Sequence, residues 1–438
     1  DRRIRSIWCG TPPGNSARAG PWQDACRRRL FVASAEARPE NGVPPKWVID
    51  MEFTPTEEQA MFRDAVSRFA QEHLAPGAQA RAGAEGYPWD VAQLMAGQGL
   101  LGITIAEEDG GQGGTLMDAV IAVEEVARYC PGSVDVVHAG SFGAIRTLAA
   151  FGSPEQKKRF LPSLLAGNGL IAIAMSEPEA GSAVTELNTS ATPDGNGFRI
   201  NGSKVFVTFS PEATLFLVYV RFGPGTDGIG SVLIERGTPG FSLGAPSGFM
   251  SGDSWQQLYF EDCPVGPENV LAGEGGFKRQ IAGFNAERIG NSVRSLALGR
   301  HAFELARVHA LERRQFGRLL CEFQGIQWKF ADAAVDLEAA GLLLYRAAVN
   351  ADKGLPSAHE TALAKLACNR AGFAAANEAV QVLGGLGFSE PSLAEYCLRR
   401  TRGWMIAGGS IEMMKNRIAE GVFERRFSQR PPRATDPV

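Results

Sequence analysis

Phe198-Arg-Ile-Asn-Gly-Ser-Lys-Val-Phe-Val207 is the stretch of sequence that decides the fold. Apolar residues recur at every second position on both sides of Asn201-Gly202, a period typical of strands with one buried face. The alternation continues in Leu215-Phe-Leu-Val-Tyr219 and Val232-Leu-Ile234. Because Asn-Gly and Asp-Gly dipeptides favour tight hairpin turns, we expect turns at Asn201-Gly202 and at Asp194-Gly195. The pattern predicts an antiparallel β-domain.

Helical patterns lie on both sides of this β-domain. Thr54, Pro55 and Glu57 have the arrangement of a helix start, with Thr54 as N-cap and Pro55 in the first turn. Apolar residues then recur on one helical face from Phe62 to Phe69, and a second long helical stripe runs from Ile326 to Leu344. Helices, then strands, then helices indicate an α+β chain with segregated layers rather than alternating βαβ units.

The chain divides into five segments on these patterns. We expect residues 1–50 to lie outside the fold, either as an Arg-rich targeting peptide or as an upstream extension that ends before Met51. An N-terminal helical domain then covers 51–170, and the middle β-domain covers 171–276. A C-terminal helical bundle covers 277–428, and residues 429–438 form a tail.

Composition excludes several classes of function. The 438 residues carry a formal net charge of −4, which offers no electrostatic footprint for nucleic acid. No apolar run approaches the roughly 18 residues of a membrane span, so we expect a soluble, cytoplasmic protein. The seven cysteines and five histidines show no ligand spacing. We therefore expect no disulfide framework, no metal, and histidines that stand alone.

Several further segments carry polar groups and glycines in arrangements that suit a bound cofactor. Met175-Ser-Glu-Pro-Glu-Ala-Gly-Ser182 follows a buried apolar run and offers a hydroxyl, a turn and exposed backbone N–H groups. The others are Phe284-Asn-Ala-Glu-Arg-Ile-Gly290, Glu312-Arg-Arg-Gln-Phe-Gly317, Phe323-Gln-Gly-Ile-Gln327, Ala379-Val-Gln-Val-Leu-Gly-Gly-Leu-Gly-Phe388 and Ile406-Ala-Gly-Gly-Ser-Ile-Glu412. In this order and spacing, over residues 51 to about 425, the chain resembles the acyl-CoA dehydrogenase family.

The resemblance implies a fold and a cofactor. The fold would be an N-terminal helical domain, a middle β-barrel-like domain and a C-terminal four-helix bundle, assembled as a homotetramer with one FAD per subunit. Residues matching FAD-contacting positions are Met175, Ser176, Ser182, Phe206, Thr208, Arg313, Phe316, Gln324, Gln381, Gly384, Gly385 and Ser410. Of these, Ser182 could also meet the substrate's pantetheine, and the group from Arg313 to Gly385 would hold the FAD of the partner subunit.

The resemblance also implies the residues for chemistry. Many members carry their catalytic base as Glu in a Glu-Gly-Thr motif, where this chain has Gly408-Gly409-Ser410. Isovaleryl- and long-chain-type members place the base in a Glu-Arg pair that matches Glu287-Arg288, so we expect Glu287 to remove the α-proton, with its pKa raised by a dry site. The Gly408 amide would donate to the thioester oxygen. Asn285, Arg288 and Gly409 match CoA-contacting positions.

The activity implied is α,β-dehydrogenation of a fatty or branched acyl-CoA to the trans-2-enoyl-CoA, with electrons passed to an electron-transfer flavoprotein. Three alternatives keep the same fold. Reduced flavin could react with oxygen, as in an oxidase or monooxygenase. The thioester could belong to an acyl-carrier protein rather than CoA. The chain could also be a non-catalytic subunit of a hetero-oligomeric acyl-CoA dehydrogenase.

Overall fold

Residues 55–351, 356–390 and 392–429 are described by the computed structural model of the chain. The expected extension at 1–50, and all but the first residue of the expected tail, lie outside these ranges. From Thr56 onward the chain groups into one compact unit. Among the described helices, none has both the length and the hydropathy that a membrane span needs.

The N-terminal part is helical. Its α-helices are α1 (Glu57–Phe69), α2 (Ala78–Ala82), α3 (Trp89–Ala96), α4 (Leu116–Tyr129), α5 (Val134–Ser141), α6 (Gly143–Phe151) and α7 (Pro154–Leu165). Helix α1 starts later than predicted, because its N-cap is Thr56 and not Thr54. The Thr56 hydroxyl accepts from the Gln59 backbone N–H and the Gln59 side chain accepts from the Thr56 N–H, both at 3.1 Å. This reciprocal pair satisfies two free N–H groups of the first turn.

The middle part is one sheet. Its strands are β1 (Ile171–Ala174), β2 (Ser190–Asp194), β3 (Gly197–Thr208), β4 (Leu215–Arg221), β5 (Ile229–Glu235), β6 (Phe241–Leu243), β7 (Ser247–Gly248), β8 (Ser254–Val265) and β9 (Val270–Ala272). Its main path runs β6-β8-β3-β2-β4-β5-β9. The expectation of a purely antiparallel sheet is wrong, since β1 and β2 both pair parallel to β4.

Of the two predicted hairpin turns, one is confirmed and the other is wrong. Asp194 pairs with Gly197, so a two-residue loop that begins with Gly195 joins β2 to β3. Strand β3 runs straight through Asn201-Gly202, where its register against β8 shifts. The Asn201 side chain accepts from the backbone N–H of Asp262 at 2.9 Å. A Cβ on Gly202 would lie 2.7 Å from Thr189, so this glycine permits a β-bulge against a neighbouring strand.

The C-terminal part is a bundle of long helices. It comprises α8 (Phe277–Glu312), the hairpin β10–β11 (Arg314–Gln315, Arg318–Leu319), α9 (Gln324–Ala351), α10 (Ala358–Leu383), α11 (Gly385–Phe388), α12 (Leu393–Trp404) and α13 (Ile411–Val422). Helices α8 and α10 approach closely where Gly299 faces Gly372, because neither residue has a side chain. A Cβ on Gly299 would stand only 2.5 Å from the Cα of Gly372. Helix α8 also packs against α4 and α5, which brings its buried face against the N-terminal helices.

Candidate functional site

A polar stripe runs along the buried face of α8. Glu287, Asn291 and Arg294 are spaced by four and three residues, so they share one side of the helix. They face Asp135 and His138, which are three residues apart on α5. Each of the five is no more than 9% exposed. Buried groups of this kind cost free energy unless they are paired, so such a cluster needs a specific arrangement.

The Glu287 carboxylate lies at the centre of this stripe. Nδ2 of Asn291 donates to its Oε1 at 3.1 Å, and the Arg294 guanidinium lies 3.9 Å from the same oxygen. Its other oxygen, Oε2, lies 3.1 Å from Nε2 of His138. Within the described part of the chain, however, neither Oε2 nor Nε2 completes a hydrogen bond. One carboxylate oxygen is therefore held in place and the other retains an open lone pair.

The protonation of this pair differs from expectation in two ways. Burial alone would raise the pKa of Glu287, but His138, Arg294 and the Asn291 amide outweigh burial and hold that pKa below its usual value. The predicted raised pKa is therefore wrong. Burial and the Arg294 charge lower the pKa of His138, against the opposing effect of the Glu287 and Asp135 carboxylates. The expectation that every histidine stands alone is also wrong.

An ionic network extends from this centre towards the β-domain. Arg294 donates to Oδ1 of Asp135 at 2.6 Å, and Arg400 pairs with both Asp135 and Asp253. Burial by itself would raise the pKa of Asp135, but Arg400 and Arg294 hold it well below the usual range. Asp253 directly precedes β8. The network thus joins α5, α8, α12 and the β-domain through paired buried charges.

The loop that carries Gly408 closes over the same helix face. Gly408 and Gly409 have φ values of 71° and 94°, a left-handed conformation that glycine adopts without strain. Arg288 donates from Nε to the Gly408 carbonyl at 3.1 Å and from a second nitrogen to Oδ1 of Asn285 at 2.7 Å. A Cβ on Gly408 would lie 2.7 Å from Nδ2 of Asn291, the atom that holds Glu287. Position 408 and Glu287 therefore lie on either side of the Asn291 side-chain amide.

A buried lysine supports this loop from behind. Lys365, on α10, donates to the carbonyl oxygen of Trp404, the last residue of α12, at 2.8 Å. Its Cε lies 3.6 Å from where a Cβ on Gly408 would stand. Burial, and then the charge of Arg288, lower the pKa of Lys365 to about 7. At the other end of the loop, the Ser410 hydroxyl caps α13 by accepting from the Met413 N–H at 3.4 Å.

A second group of predicted residues lies on the β-domain. Lys204 donates to the Met175 carbonyl at 3.1 Å and pairs with Glu177 at 2.7 Å, and the Val205 N–H donates to the Ser176 carbonyl at 2.9 Å. These bonds anchor the segment between β1 and Ser182 on strand β3. The Ser182 side chain itself is exposed.

Phe206 is the most unusual residue on this surface. It has φ 57° within a bulge between Lys204 and Val207, a strained conformation for a bulky side chain. Its ring is 59% exposed and lies 4.8 Å, centroid to centroid, from Trp255. Thr208 is exposed two residues further on. An outward aromatic ring with an exposed hydroxyl two residues away could hold a flat aromatic group such as a flavin ring.

The third group lies at the far end of the bundle. Phe316 is 94% exposed at the tip of the β10–β11 hairpin, with φ 52°. Arg313 and Gln324, which flank this hairpin, are exposed as well. At the end of α10, Gln381, Gly384 and Gly385 are also exposed, and a Cβ on either glycine would meet no atom within 4 Å. Open backbone and exposed guanidinium and amide groups suit phosphate and adenosine recognition.

Sequence reasoning brought together Glu287, Asn285, Arg288 and Gly408, but it missed Asp135, His138, Asn291, Arg294 and Lys365. A signal was present in the sequence, since Asn291 and Arg294 interrupt an otherwise apolar helix face one and two turns after Glu287. Their partners on α5 are more than 150 positions away, as in the pair Asp135 and Arg294. No local pattern connects residues so distant.

Comparison with known proteins gives matches along the whole described region. Three family models match: "Acyl-CoA dehydrogenase, N-terminal domain" at residues 56–168, "middle domain" at 172–263 and "C-terminal domain" at 274–423. The chain is 33% identical over 378 residues to a short-chain specific acyl-CoA dehydrogenase of Clostridium acetobutylicum, covering 85% of this chain and 100% of that protein.

Two further matches extend the comparison. A 3-sulfinopropanoyl-CoA desulfinase of Paraburkholderia xenovorans is 31% identical over 386 residues, covering 86% of this chain and 99% of that protein. The solved structure described as the FAD complex of PigA superposes with a TM-score of 0.80 at 26% identity, covering 85% of this chain and 99% of the other.

Proposed function

The chain belongs to the acyl-CoA dehydrogenase family, and on that premise we propose that it dehydrogenates an acyl-CoA thioester between Cα and Cβ with Glu287 as the base. It is an oxidoreductase with the fold of that family. The observation that carries the proposal is the Glu287 carboxylate, buried on α8, whose Oε2 makes no hydrogen bond within the described residues and has His138 beside it. The side-chain amide of Asn291 lies between Glu287 and position 408, where many relatives carry their base.

Glu287 is ionised and positioned, but it is a weak base. Because its pKa lies below the usual value, its affinity for the α-proton is low. The α-proton must therefore be made more acidic by stabilising negative charge on the thioester oxygen. In our proposal the backbone N–H of Gly408 donates to that oxygen, and a donor of this type is worth about 3 kcal/mol. Arg288 fixes the loop by holding the Gly408 carbonyl.

The residues on the β-domain and the hairpin support FAD as the cofactor. Met175, Ser176, Phe206 and Thr208 would meet the flavin ring, with Ser182 and Ser410 near its polar edge or the substrate. Arg313, Phe316, Gln324, Gln381, Gly384 and Gly385 would hold the pyrophosphate and adenosine of the partner subunit's cofactor. When bound, FAD supplies the hydride acceptor at N5. The chain's own groups position the thioester, exclude water and remove the proton.

Substrate binding would involve the mouth of the same loop. Arg288 carries a pKa lowered to about 10 by burial and by the nearby charge of Arg417, so two cations lie close together there. With Asn285 and Gly409 beside them, these groups suit the phosphates and amides of CoA. Among the described residues, Asn285 also donates to the Pro356 carbonyl at 3.1 Å, which orients its amide.

Assembly and the electron acceptor are proposed on the same premise. One face of α9 exposes large apolar side chains at intervals of seven residues: Trp328, Val335, Leu342 and Val349. A stripe with this period suits packing against a helix of another subunit, and the homotetramer is the assembly that membership of the family implies. An electron-transfer flavoprotein is the proposed acceptor. A cytoplasmic location stays a prediction. The five described cysteines form no disulfide bonds.

Anaerobic mixing with a panel of acyl-CoA thioesters tests the proposal. We expect at least one thioester to bleach the flavin absorbance and to yield the trans-2-enoyl-CoA. Admission of air should then reoxidise the flavin slowly, whereas rapid reoxidation would favour an oxidase. A flavin that no thioester reduces would contradict dehydrogenation. A purified chain that cannot be reconstituted with FAD would favour the non-catalytic subunit.

A further inference from the structure

Asn291 joins two charged side chains on the buried face of α8. Its Oδ1 accepts from a guanidinium nitrogen of Arg294 at 2.8 Å, and its Nδ2 donates to Oε1 of Glu287 at 3.1 Å. A guanidinium can only donate and a carboxylate can only accept, so the amide between them has one orientation that satisfies both. Asn291 is 2% exposed, and hydrogen bonds in such an interior are electrostatically stronger than in water.

Arg294, which sets this orientation, is itself held on two sides. A second guanidinium nitrogen donates to Oδ1 of Asp135, on α5, at 2.6 Å. The guanidinium carbon lies 4.9 Å from the ring centre of Trp404, at the end of α12, which is the distance of a cation–π contact. The amide of Asn291 therefore meets a donor whose position is set by the packing of three helices.

The Glu287 carboxylate has little room to turn away from Asn291. A Cβ on Gly143, which begins α6, would stand 2.7 Å from Oε2 of Glu287, and a Cβ on Gly408 would stand 2.7 Å from Nδ2 of Asn291. Backbone thus approaches the carboxylate on one side and the amide on the other. Because protein interiors are close-packed, both groups stay where their hydrogen bonds hold them.

The amide also affects the charge of Glu287. Burial raises the pKa of Glu287, and the hydrogen bond from Asn291 is among the effects that lower it. Ionisable groups act on this carboxylate from the helices around it: His138 on α5, Arg288 and Arg294 on α8, and Lys365 on α10. Each of these can carry a positive charge, so a negative charge at position 291 would oppose them at hydrogen-bond distance.

We propose that Asn291 is a positioning residue for the proposed base: Arg294 fixes its amide, and that amide holds Glu287 in place with the carboxylate ionised. The inference rests on the proposed function, because it takes Glu287 to remove the α-proton. A carboxyl group at position 291 would keep the bond to Arg294 but would place two acidic groups about 3 Å apart. Two carboxyl groups that share a site retain one proton to higher pH.

Asn291→Asp tests the inference, because it exchanges the amide nitrogen for oxygen and leaves the size of the side chain unchanged. Stopped-flow absorbance measures the rate of flavin reduction at saturating thioester as a function of pH. The base must be ionised, so the rate falls as pH drops through its pKa. We expect this acid limb to lie about two pH units higher in the variant, since the shared proton must leave first. An acid limb at the wild-type pH overturns the inference.

Gln280→Glu is the matched control. Gln280 lies on the same helix, is 1% exposed and bonds the Ser231 hydroxyl, so the variant makes the same amide-to-acid exchange in a buried position two turns before Glu287. We expect its acid limb to coincide with that of wild type. An equal displacement in this control would trace the effect to buried charge in general and would also overturn the inference.

Asn291→Leu removes the donor without adding a charge. The acid limb should move in the same direction, by about one pH unit, because Glu287 loses a hydrogen bond that favours its ionised form. The side chain is of similar size and neutral, so this variant decides the question if Asn291→Asp does not fold. A profile that matches wild type would then contradict the inference.

Infrared difference spectroscopy of the FAD-loaded protein without thioester gives a readout that needs no turnover. In the difference between Asn291→Asp and wild type at pH 7, we expect the C=O stretch of one additional protonated carboxyl group. Adding Glu287→Gln should remove it, because the remaining acid then faces Arg294 and an amide. For Asn291→Leu, the band of protonated Glu287 should persist to higher pH than in wild type. Spectra without these differences count against the inference.

The two readouts separate this inference from the proposed function. Wild-type flavin that no thioester bleaches, together with the additional carboxyl band in Asn291→Asp, contradicts dehydrogenation and supports the role of Asn291. Flavin bleaching by wild type and Asn291→Asp with the same acid limb supports dehydrogenation and contradicts the role of Asn291.

Discussion

Oε2 of Glu287 lies 3.1 Å from Nε2 of His138, so a helix of the C-terminal bundle and a helix of the N-terminal part meet at one buried carboxylate. Within the part of the chain that the structure describes, this oxygen of Glu287 makes no hydrogen bond, while Asn291 holds the other oxygen. A fixed carboxylate with one open lone pair is the arrangement that proton abstraction requires. The same contact places the proposed base among polar neighbours.

Glu287→Gln should abolish the reaction without loss of the cofactor. The amide keeps the shape of the side chain but cannot accept the α-proton, so we expect flavin bleaching by the best thioester to fall by at least about 10³-fold. Stopped-flow absorbance measures the rate, and the flavin-to-protein absorbance ratio measures retention. Glu304→Gln is the matched control, because Glu304 lies on the same helix and pairs with Arg307 on the surface. Flavin bleaching by the Glu287 variant at the wild-type rate would show that another residue is the base.

Gly408→Ala should destabilise the protein. Gly408 has φ 71°, and a Cβ there would press against Asn291, so we expect a loss of about 1–2 kcal/mol in the free energy of unfolding. Gly403→Ala is the control, because that glycine lies within α12 and a Cβ would meet nothing within 4 Å. It should stabilise the helix by up to about 1 kcal/mol. Thermal unfolding compares them, and equal melting temperatures would be inconsistent with the loop geometry.

Asp135→Asn should be far more damaging than its single-atom change suggests. Arg294 and Arg400 would both lose a buried anion, and breaking such a pair costs about 3–5 kcal/mol. The control is Asp194→Asn, which removes a pair with Arg199 whose two side chains are about half exposed, and should cost under about 1 kcal/mol. Urea unfolding measures both. A comparable small effect for the two variants would show that the network contributes little.

Stability should rise with pH through Lys365. Its pKa is lowered from 10.5 to about 7 in the folded chain, so between these values the unfolded chain binds more protons. Folding stability from this group therefore increases as pH rises from about 7 towards 10. We expect the melting temperature of wild type, relative to Lys365→Met, to increase between pH 7 and pH 9. A difference that stays constant with pH would mean that the lysine is not desolvated.

Much of the fold followed from local patterns. The period of two between Phe198 and Val207 predicted strands, and Asp194-Gly195 predicted a hairpin that the structure confirms. Asn201-Gly202 has the same turn signature but forms a bulge, because Asn201 bonds Asp262 on the adjacent strand and Gly202 packs on Thr189. A dipeptide signals that a backbone shape is possible, whereas the strands around it decide which shape forms.

By itself, the sequence determined the order of helices and strands, the family, and the proposal of Glu287 as base in the absence of a carboxylate at position 408. Periodicity and short motifs encode these features within a few residues. Only the tertiary structure decided the protonation of Glu287 and the polarity of its surroundings. Both depend on His138 and Asp135, which reach α8 from another part of the chain, and the pKa of a buried group is set by whichever charges the fold brings within a few ångströms.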